Sequence, residues 1–257
     1  MEAEYNLAAG RIKDILSFLK ENDNLDQVPL YVLDVDETIF QIFSEHYRVW
    51  EYWIANVEWI KDLGVKSKDW NTFIEGGGSK VYQENFDSEE FNTLNGFNTH
   101  SPEFNQGLKL ATDLEEVLEI IRPLIACYLT TRPESVKKVT SAELEKNNFP
   151  NPNRVICAGE NGAYLGGPAF KLRKLQLMKV FFPNRKIILI DDDVRTCQVI
   201  NEQNDPLMQA VIFEGAATSK KEYPEASSWK DVLKIIAQEL EPFYSSVLLQ
   251  MLSSLIL

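Results

Sequence analysis

Acidic side chains at the ends of apolar runs are the residues of this chain with the clearest capacity for chemistry. The stretch "VPLYVLDVDETIF" closes an apolar run with Asp34 and Asp36, two positions apart, followed by Glu37 and Thr38. A carboxylate at the end of a strand can attack phosphorus and form an acyl phosphate that water later cleaves. A second carboxyl on the following turn can protonate the leaving oxygen and then take a proton from that water. The spacing of Asp34 and Asp36 fits this pair of roles.

A second acidic group, Asp191 to Asp193, follows the apolar run "IILI" much later in the chain. Repulsion between an anionic nucleophile and an anionic phosphate is reduced by a divalent cation, and Mg²⁺ prefers one or two carboxylates together with phosphate and water oxygens. Asp192 offers such a carboxylate. Thr130 and a lysine that precedes Asp191 offer the hydroxyl and ammonium donors that hold phosphoryl oxygens. These residue types predict magnesium-assisted phosphoryl chemistry.

Apolar runs without alternation predict the strands that position these groups, because parallel strands are buried on both faces. The runs are "LYVLDV" (30–35), "LIACYLTT" (124–131), "KIILIDDD" (186–193) and "AVIF" (210–213), and helical spacing occurs at 7–20, 113–122, 134–147, 172–182 and 194–203. Strands that alternate with helices predict an α/β, Rossmann-like, mostly parallel sheet with helices on both faces. Ligands bind at the carboxyl ends of such strands, where Asp34, Thr130 and Asp191 stand.

The segment 41–110 has a different composition from the rest of the chain. It contains Trp50, Trp53, Trp59 and Trp70 and the glycine-rich stretch "EGGGS", which we expect to be a turn or hinge. We predict a mainly helical cap inserted after the first strand, a core of residues 1–40 and 111–244, and an apolar C-terminal tail at 245–257. The tail is too short to cross a bilayer of about 30 Å, so we expect a terminal helix packed on the core, with a protein- or membrane-docking segment as the alternative.

The overall charge and the cysteines limit the partners and the compartment. A net charge of -13 disfavours nucleic acids and anionic lipid surfaces. The amino terminus is acidic and amphipathic, unlike a secretory signal, and the scattered Cys127, Cys157 and Cys197 are expected to be small core residues of a reduced, cytoplasmic protein. His46 and His100 lack metal-ligand spacing, and we expect them to pack against the protein or face solvent.

Taken together, the motifs resemble those of the haloacid dehalogenase (HAD) superfamily of phosphohydrolases. "DVDET" resembles the motif D-x-D-x-T, "YLTTRP" resembles a strand ending in Thr-x-Arg, and "IILIDD" resembles the strand that ends in two acids. The likeness covers residues 28–38 and 124–213, and "TTRPESVKKVTSAEL" is also similar to the acid-phosphatase-like branch. A receiver domain combines similar residues, but there the acidic pair stands on the first strand and the lysine follows the threonine.

The resemblance implies a role for each acid of the first motif. It implies that Asp34 is the nucleophile and that Asp36 is the acid and base, and that the backbone carbonyl of Asp36 also binds Mg²⁺. Members that cleave carbon–halogen bonds usually lack the second aspartate, so Asp36 favours phosphoester hydrolysis. We leave open whether Arg132 is solvated or contacts substrate or cap.

The resemblance also implies which residues bind phosphate and metal. Thr130, with Thr131 beside it, and Lys171 would bind the phosphate, with Lys174 as the alternative lysine. Asp34 and Asp192 would bind the metal, and Asp191 is the second choice to Asp192. Asp193 is expected to cap the helix that begins near residue 194, since an aspartate at that position accepts free backbone N–H groups.

The implied activity is Mg²⁺-dependent hydrolysis of a phosphomonoester through an aspartyl phosphate. Alternatives are a phosphotransferase, a protein phosphotyrosine phosphatase, and a HAD-shaped module that binds a protein or membrane partner without turnover. The substrate could be a sugar phosphate, a nucleotide or a phosphoprotein, depending on how far the cap closes the site. Trp50 or Tyr47 would matter if the cap stacks an aromatic ring on the substrate.

Overall fold

The computed structural model describes residues 2–21, 28–41, 109–132, 134, 137–158, 167–213 and 223–256. The chain divides into two compact units, one comprising Met1–Ile39 and Leu110–Leu257 and the other comprising Phe40–Lys109. Nearly all of the second unit lies outside the described residues. The predicted cap, with its tryptophans, its two histidines, Tyr47 and the "EGGGS" turn, therefore stays a prediction.

Eight strands are found among the described residues. They are β1 (Leu30–Leu33), β2 (Phe40–Gln41), β3 (Lys109–Leu110), β4 (Ile125–Leu129), β5 (Val155–Ile156), β6 (Ile187–Asp191), β7 (Met208–Phe213) and β8 (Glu225–Ala226). Six of them form one sheet in the order β5-β4-β1-β6-β7-β8, in which all neighbouring strands are parallel. β2 and β3 form a separate pair. The first strand of the chain thus lies in the interior of the larger sheet.

Helices on both faces cover this sheet. They are α1 (Glu2–Glu21), α2 (Leu114–Ile121), α3 (Lys137–Lys146), α4 (Gly167–Phe181), α5 (Val194–Asn201) and α6 (Trp229–Ile256), with a short 3₁₀ turn at Arg122–Leu124. α4 and α5 contact each other, and α1, α2 and α6 form a second group of contacting helices. The prediction of an α/β, mostly parallel, Rossmann-like sheet is confirmed.

The core follows from the alternation of side chains along the strands, since successive residues of a strand point to opposite faces. Leu30 and Val32 of β1 belong to one apolar cluster with Phe170 of α4 and Ile200 of α5. The intervening residues of the sheet are buried too, among them Tyr31, Leu33, Ile188, Ile190 and Val211. On the other group of helices, the Trp229 ring of α6 lies 5.4 Å from the ring of Phe213. Burial on both faces explains why the strands read as continuous apolar runs.

The observed bounds differ from the predicted ones in informative ways. β5 and β8 were not predicted, because two residues are too few to show a periodic pattern. α4 begins at Gly167, five residues before the predicted start, and Pro168 lies in its first turn, where a missing N–H costs nothing. Lys171 therefore lies inside a helix. Conversely, α3 begins at Lys137, three residues after the predicted start.

The C-terminal tail is the continuation of α6, which runs to Ile256 with Pro242 inside it. The side chains of 244–256 lie outside the described residues, so the predicted packing of the tail on the core stays a prediction. Within the part of the chain that is described, no helix has both the length and the apolar character needed to cross a membrane.

All three cysteines are buried and free, which confirms their prediction as core residues. Burial raises the pKa of Cys127 to about 12 and that of Cys157 to about 11. Each thiol therefore stays neutral near pH 7 and is a poor nucleophile. The chemistry of the chain has to be sought at the strand ends.

Candidate active site

The candidate site lies where three neighbouring parallel strands end. β1 is flanked by β4 and β6, with Leu33 paired to Tyr128 on one side and to Ile190 on the other. Asp34 follows β1, Thr130 follows β4, and Asp191 is the last residue of β6, with Asp192 and Asp193 after it. The backbone N–H of Asp34 donates to the carbonyl of Ile190 at 2.9 Å. This bond holds Asp34 beside the carboxyl end of β6. Groups far apart in sequence thus meet at the carboxyl ends of these neighbouring strands.

A buried lysine joins two of the acids. The Nζ of Lys171, on α4, lies 2.6 Å from Oδ1 of Asp34 and 2.7 Å from Oδ2 of Asp191. All three side chains are nearly or fully inaccessible to solvent. Burial lowers the pKa of Lys171, but the two carboxylates outweigh it and hold the pKa above its ordinary value. An ammonium has three donors, so after these two contacts with described residues one remains for a ligand oxygen.

Three carboxylates form a group that could hold a cation. One oxygen from each of Asp34, Asp191 and Asp192 lies within 4.8 Å of the others. Burial raises the pKa of Asp34 well above its ordinary value, although Lys171 opposes this, and burial together with Asp191 raises the pKa of Asp192 to about 8. Ionisation of all three acids would leave excess negative charge, since one ammonium balances only one of them. Oxygen ligands with excess negative charge are what Mg²⁺ requires, so the residues present fit this metal.

Asp36 lies outside that group and is bound by an arginine. Nε of Arg132 lies 2.9 Å from Oδ1 and 3.1 Å from Oδ2 of Asp36, and a terminal nitrogen lies 2.5 Å from Oδ1. The Arg132 side chain is 3% exposed and that of Asp36 is 34% exposed. The other terminal nitrogen of Arg132 donates to Oγ1 of Thr140 on α3 at 3.0 Å. Of the two alternatives left open for Arg132, the solvated side chain is wrong, because the guanidinium is buried in an ion pair.

The turn after β1 is fixed by contacts on both sides. Glu37 has a φ of 59°, in the left-handed region, and lies in the turn that follows Asp36. Thr38 is fully buried, and its Oγ1 lies 3.5 Å from Oδ1 of Asp192. The indole N–H of Trp229, the first residue of α6, donates to the carbonyl of Thr38 at 3.0 Å. Sequence reasoning missed Trp229, because nothing in the local sequence links it to a turn 191 residues earlier.

The two threonines at the end of β4 differ in exposure. Thr130 is fully buried, and its Oγ1 accepts the backbone N–H of Arg132 at 3.2 Å. A hydroxyl that accepts in this way keeps its hydrogen for donation. Thr131 is exposed, and its methyl group faces the start of α4, where a Cβ added to Gly167 would lie 3.1 Å from it. Thr130 is therefore the better placed of the two to donate into the site.

The remaining predicted residues have distinct positions. Asp193 accepts the N–H of Arg195 at 3.1 Å, which confirms its prediction as the N-cap of α5. The backbone N–H of Asp193 in turn donates to Oδ1 of Asp191 at 3.0 Å. Nζ of Lys174, the alternative lysine, lies 5.6 Å from the centre of the Phe170 ring instead. Of the two lysines, Lys171 is the one the structure brings to the acids.

Comparison with known proteins bears on the fold. No family model matches the chain, and no curated protein matches it. Among solved structures, the chain is similar to a haloacid dehalogenase-like hydrolase from Burkholderia xenovorans, with 11% identity and a TM-score of 0.52, over 83% of this chain and 99% of that one. It is also similar to a protein from Clostridium difficile described as a phosphatase, with 13% identity and a TM-score of 0.50, over 80% and 99%.

These similarities show that the chain has the fold of HAD-like hydrolases. The predicted resemblance to that superfamily is thus confirmed at the level of the fold. The comparisons give no support to the narrower resemblance to the acid-phosphatase-like branch.

Proposed function

We propose that this protein is a phosphomonoester hydrolase that uses Mg²⁺ and forms an aspartyl phosphate on Asp34. The observation that carries the proposal is the buried cluster at the strand ends, in which Lys171 bridges Asp34 and Asp191 beside Asp192. A carboxylate cluster with one ammonium suits a doubly charged phosphoryl group and a divalent cation. The fold of HAD-like hydrolases supports the same proposal.

In the first step, Asp34 attacks phosphorus. Lys171 binds Oδ1 of Asp34, so Oδ2 is the oxygen that forms the bond to phosphorus, while the bond from phosphorus to the leaving oxygen breaks. The remaining Lys171 donor and the Thr130 hydroxyl bind the phosphoryl oxygens. Asp36 enters this step as the protonated carboxyl, and its proton goes to the leaving oxygen.

In the second step, water cleaves the acyl phosphate and frees Asp34. Asp36 takes a proton from the attacking water, which returns both acids to their starting states. Asp34 and Asp192, with the backbone carbonyl of Asp36 and with Asp191 as a further candidate, would hold Mg²⁺. When bound, the ion lowers the repulsion between these carboxylates and the phosphate.

The substrate class is proposed as an organic phosphomonoester, either a small molecule or a phosphorylated protein side chain. A panel should therefore contain sugar phosphates, nucleotides and phosphotyrosine peptides. Phosphate release is measured with Mg²⁺ and with EDTA. The peptides and the small esters distinguish the two kinds of substrate.

The decisive variant is Asp34→Asn. We expect phosphate release to fall by roughly 10³-fold or more, as is usual when a catalytic nucleophile is removed. Asp14→Asn, an exposed aspartate of α1, is the matched control and should keep full activity. After brief exposure of the wild type to substrate, mass spectrometry should find a phosphoryl group on the peptide that contains Asp34. Full activity of Asp34→Asn would refute the proposal, and a wild type inert on the whole panel with Mg²⁺ would favour a binding module.

A further inference from the structure

The ion pair between Arg132 and Asp36 joins three elements of the core. Arg132 follows β4, Asp36 follows β1, and Thr140 is a fully buried residue of α3. Burying a guanidinium is unfavourable unless its charge and its donors are satisfied. Here Nε and one terminal nitrogen of the guanidinium bind Asp36, and the other terminal nitrogen binds Thr140. The orientation of the guanidinium is therefore fixed from two sides.

The two oxygens of Asp36 are bound unequally. Oδ1 accepts a terminal N–H of Arg132 at 2.5 Å and also shares the single Nε–H, which lies 2.9 Å from Oδ1 and 3.1 Å from Oδ2. A carboxylate oxygen has two lone pairs, so Oδ1 is saturated and Oδ2 keeps one for another partner. Asp36 is also the accessible member of the pair, with 34% of its side chain exposed.

We propose that Arg132 is the positioning residue of Asp36, and that it leaves Oδ2 as the oxygen that exchanges protons with the leaving group and with water. The proposal rests on the proposed function and assigns this role within the same site. In this proposal Arg132 acts through Asp36, with Thr140 as its second partner among the described residues, and not by contact with the substrate. Its pKa, which burial lowers, is held above its ordinary value by the Asp36 carboxylate, so it stays charged.

The proposal predicts that a change of Arg132 affects the rates of the two chemical steps differently. Loss of an arginine that binds the phosphate would instead slow both steps. In the first step the Asp36 proton moves to the leaving oxygen, and in the second Asp36 accepts a proton from water while the bond from phosphorus to Asp34 breaks. With 2,4-dinitrophenyl phosphate the leaving group needs no proton. A misplaced Asp36 should then spare the first step on this ester and slow only the second.

The test uses Arg132→Lys in single-turnover experiments with enzyme in excess and Mg²⁺ present. Lysine keeps the positive charge but cannot form the two-pronged contact. Release of dinitrophenolate should stay within about 3-fold of the wild type, while release of phosphate should slow by about 10- to 100-fold, within the range of general acid–base catalysis. With an alkyl phosphate, both steps should slow.

Three further variants and a control make the test specific. Asp36→Asn should show the same pattern, and Arg132→Lys added to Asp36→Asn should cause no further loss. Thr140→Val, which removes the hydroxyl that holds Arg132, should show the same pattern with a smaller loss and carries the test if Arg132→Lys does not fold. Arg185→Lys is the control, because Arg185 donates to the carbonyl of Val28 away from the site. It should change neither step.

The possible outcomes separate this proposal from the proposed function. A wild type that releases neither dinitrophenolate nor phosphate overturns the proposed function and this proposal with it. An active wild type whose Arg132→Lys variant slows both releases equally shows instead that Arg132 binds the phosphate. Additive losses in the double variant would also overturn the proposal, since they would show that Arg132 acts independently of Asp36.

Discussion

The carboxyl group of Asp192 has a pKa of about 8, because burial and the neighbouring Asp191 disfavour its ionised form. In the unfolded chain the ordinary value of 3.8 applies. Between about pH 4 and pH 8 the folded protein therefore holds a proton that the unfolded chain has released. Stability falls with rising pH wherever the folded state binds more protons, so this group lowers the free energy of unfolding across that window.

This linkage gives a prediction for the metal-free protein. In EDTA, the free energy of unfolding of the wild type should decrease relative to that of Asp192→Asn between pH 5 and pH 8, by at most about 1.4 kcal/mol per pH unit. Urea unfolding at four pH values measures it. Saturating Mg²⁺ should remove the dependence, because the ion favours the ionised carboxyl. Parallel curves for the two proteins in EDTA would contradict the prediction.

At the scale of single residues, sequence predicted the acids and the lysine but not their supports. Asp34 and Asp191 stand at the ends of recognisable strands, and parallel strands must bring such ends together. Lys171 lies inside α4 and was predicted from the resemblance to the HAD superfamily. The pairing of Arg132 with Asp36 spans 96 residues and depends on which strands are neighbours in the sheet. Local sequence contains no signal for that order, so an arginine after a strand looked equally suited to solvent or to substrate.

At the scale of elements, α6 supports the turn that contains the first motif. The Trp229 indole N–H donates to the carbonyl of Thr38, whose hydroxyl lies near Asp192. Because Trp229 is fully buried, the carbonyl has no water to replace a lost donor. The first residue of α6 thus helps to fix the backbone of the turn that follows Asp34 and Asp36 and lies beside Asp192.

Trp229→Phe should remove this bond while keeping an aromatic ring. We expect a loss of about 1–3 kcal/mol in the free energy of unfolding, together with a reduced kcat. Urea unfolding and phosphate release are the two measurements. Tyr128→Phe is the control, because the Tyr128 hydroxyl also donates to a backbone carbonyl, that of Pro150, and its loss should lower stability without lowering kcat. Unchanged kcat in Trp229→Phe would show that α6 does not position the turn.

The elements themselves were largely predictable because burial and periodicity determine them. Four long apolar runs became β1, β4, β6 and β7, and helices alternate with them as expected. The predictions failed where the pattern is too short or misleading. The edge strands β5 and β8 have two residues each, and the Gly-Pro at the start of α4 is typical of a loop as well as of a first helical turn.

At the scale of the whole molecule, the net charge of -13 opposes the approach of a phosphorylated substrate. Screening by salt weakens this repulsion, since the Debye length falls from about 30 Å at 0.01 M to about 10 Å at 0.1 M. We predict that kcat/KM rises by about 2- to 5-fold as KCl increases from about 10 to 150 mM at saturating Mg²⁺. A monoanionic ester should respond less than a dianionic one. A fall with added salt would show that a local positive field attracts the substrate.

The interior position of β1 in the sheet also constrains how the protein is made. Its residues pair with β4 and β6, so Leu30 meets Ile187 and Tyr31 meets Ile125 only after those segments leave the ribosome. Contacts this distant in sequence form late and slow the folding of nascent chains. Until then the apolar segment of β1 and the acids that follow it are exposed to solvent on the nascent chain, where a chaperone can bind them.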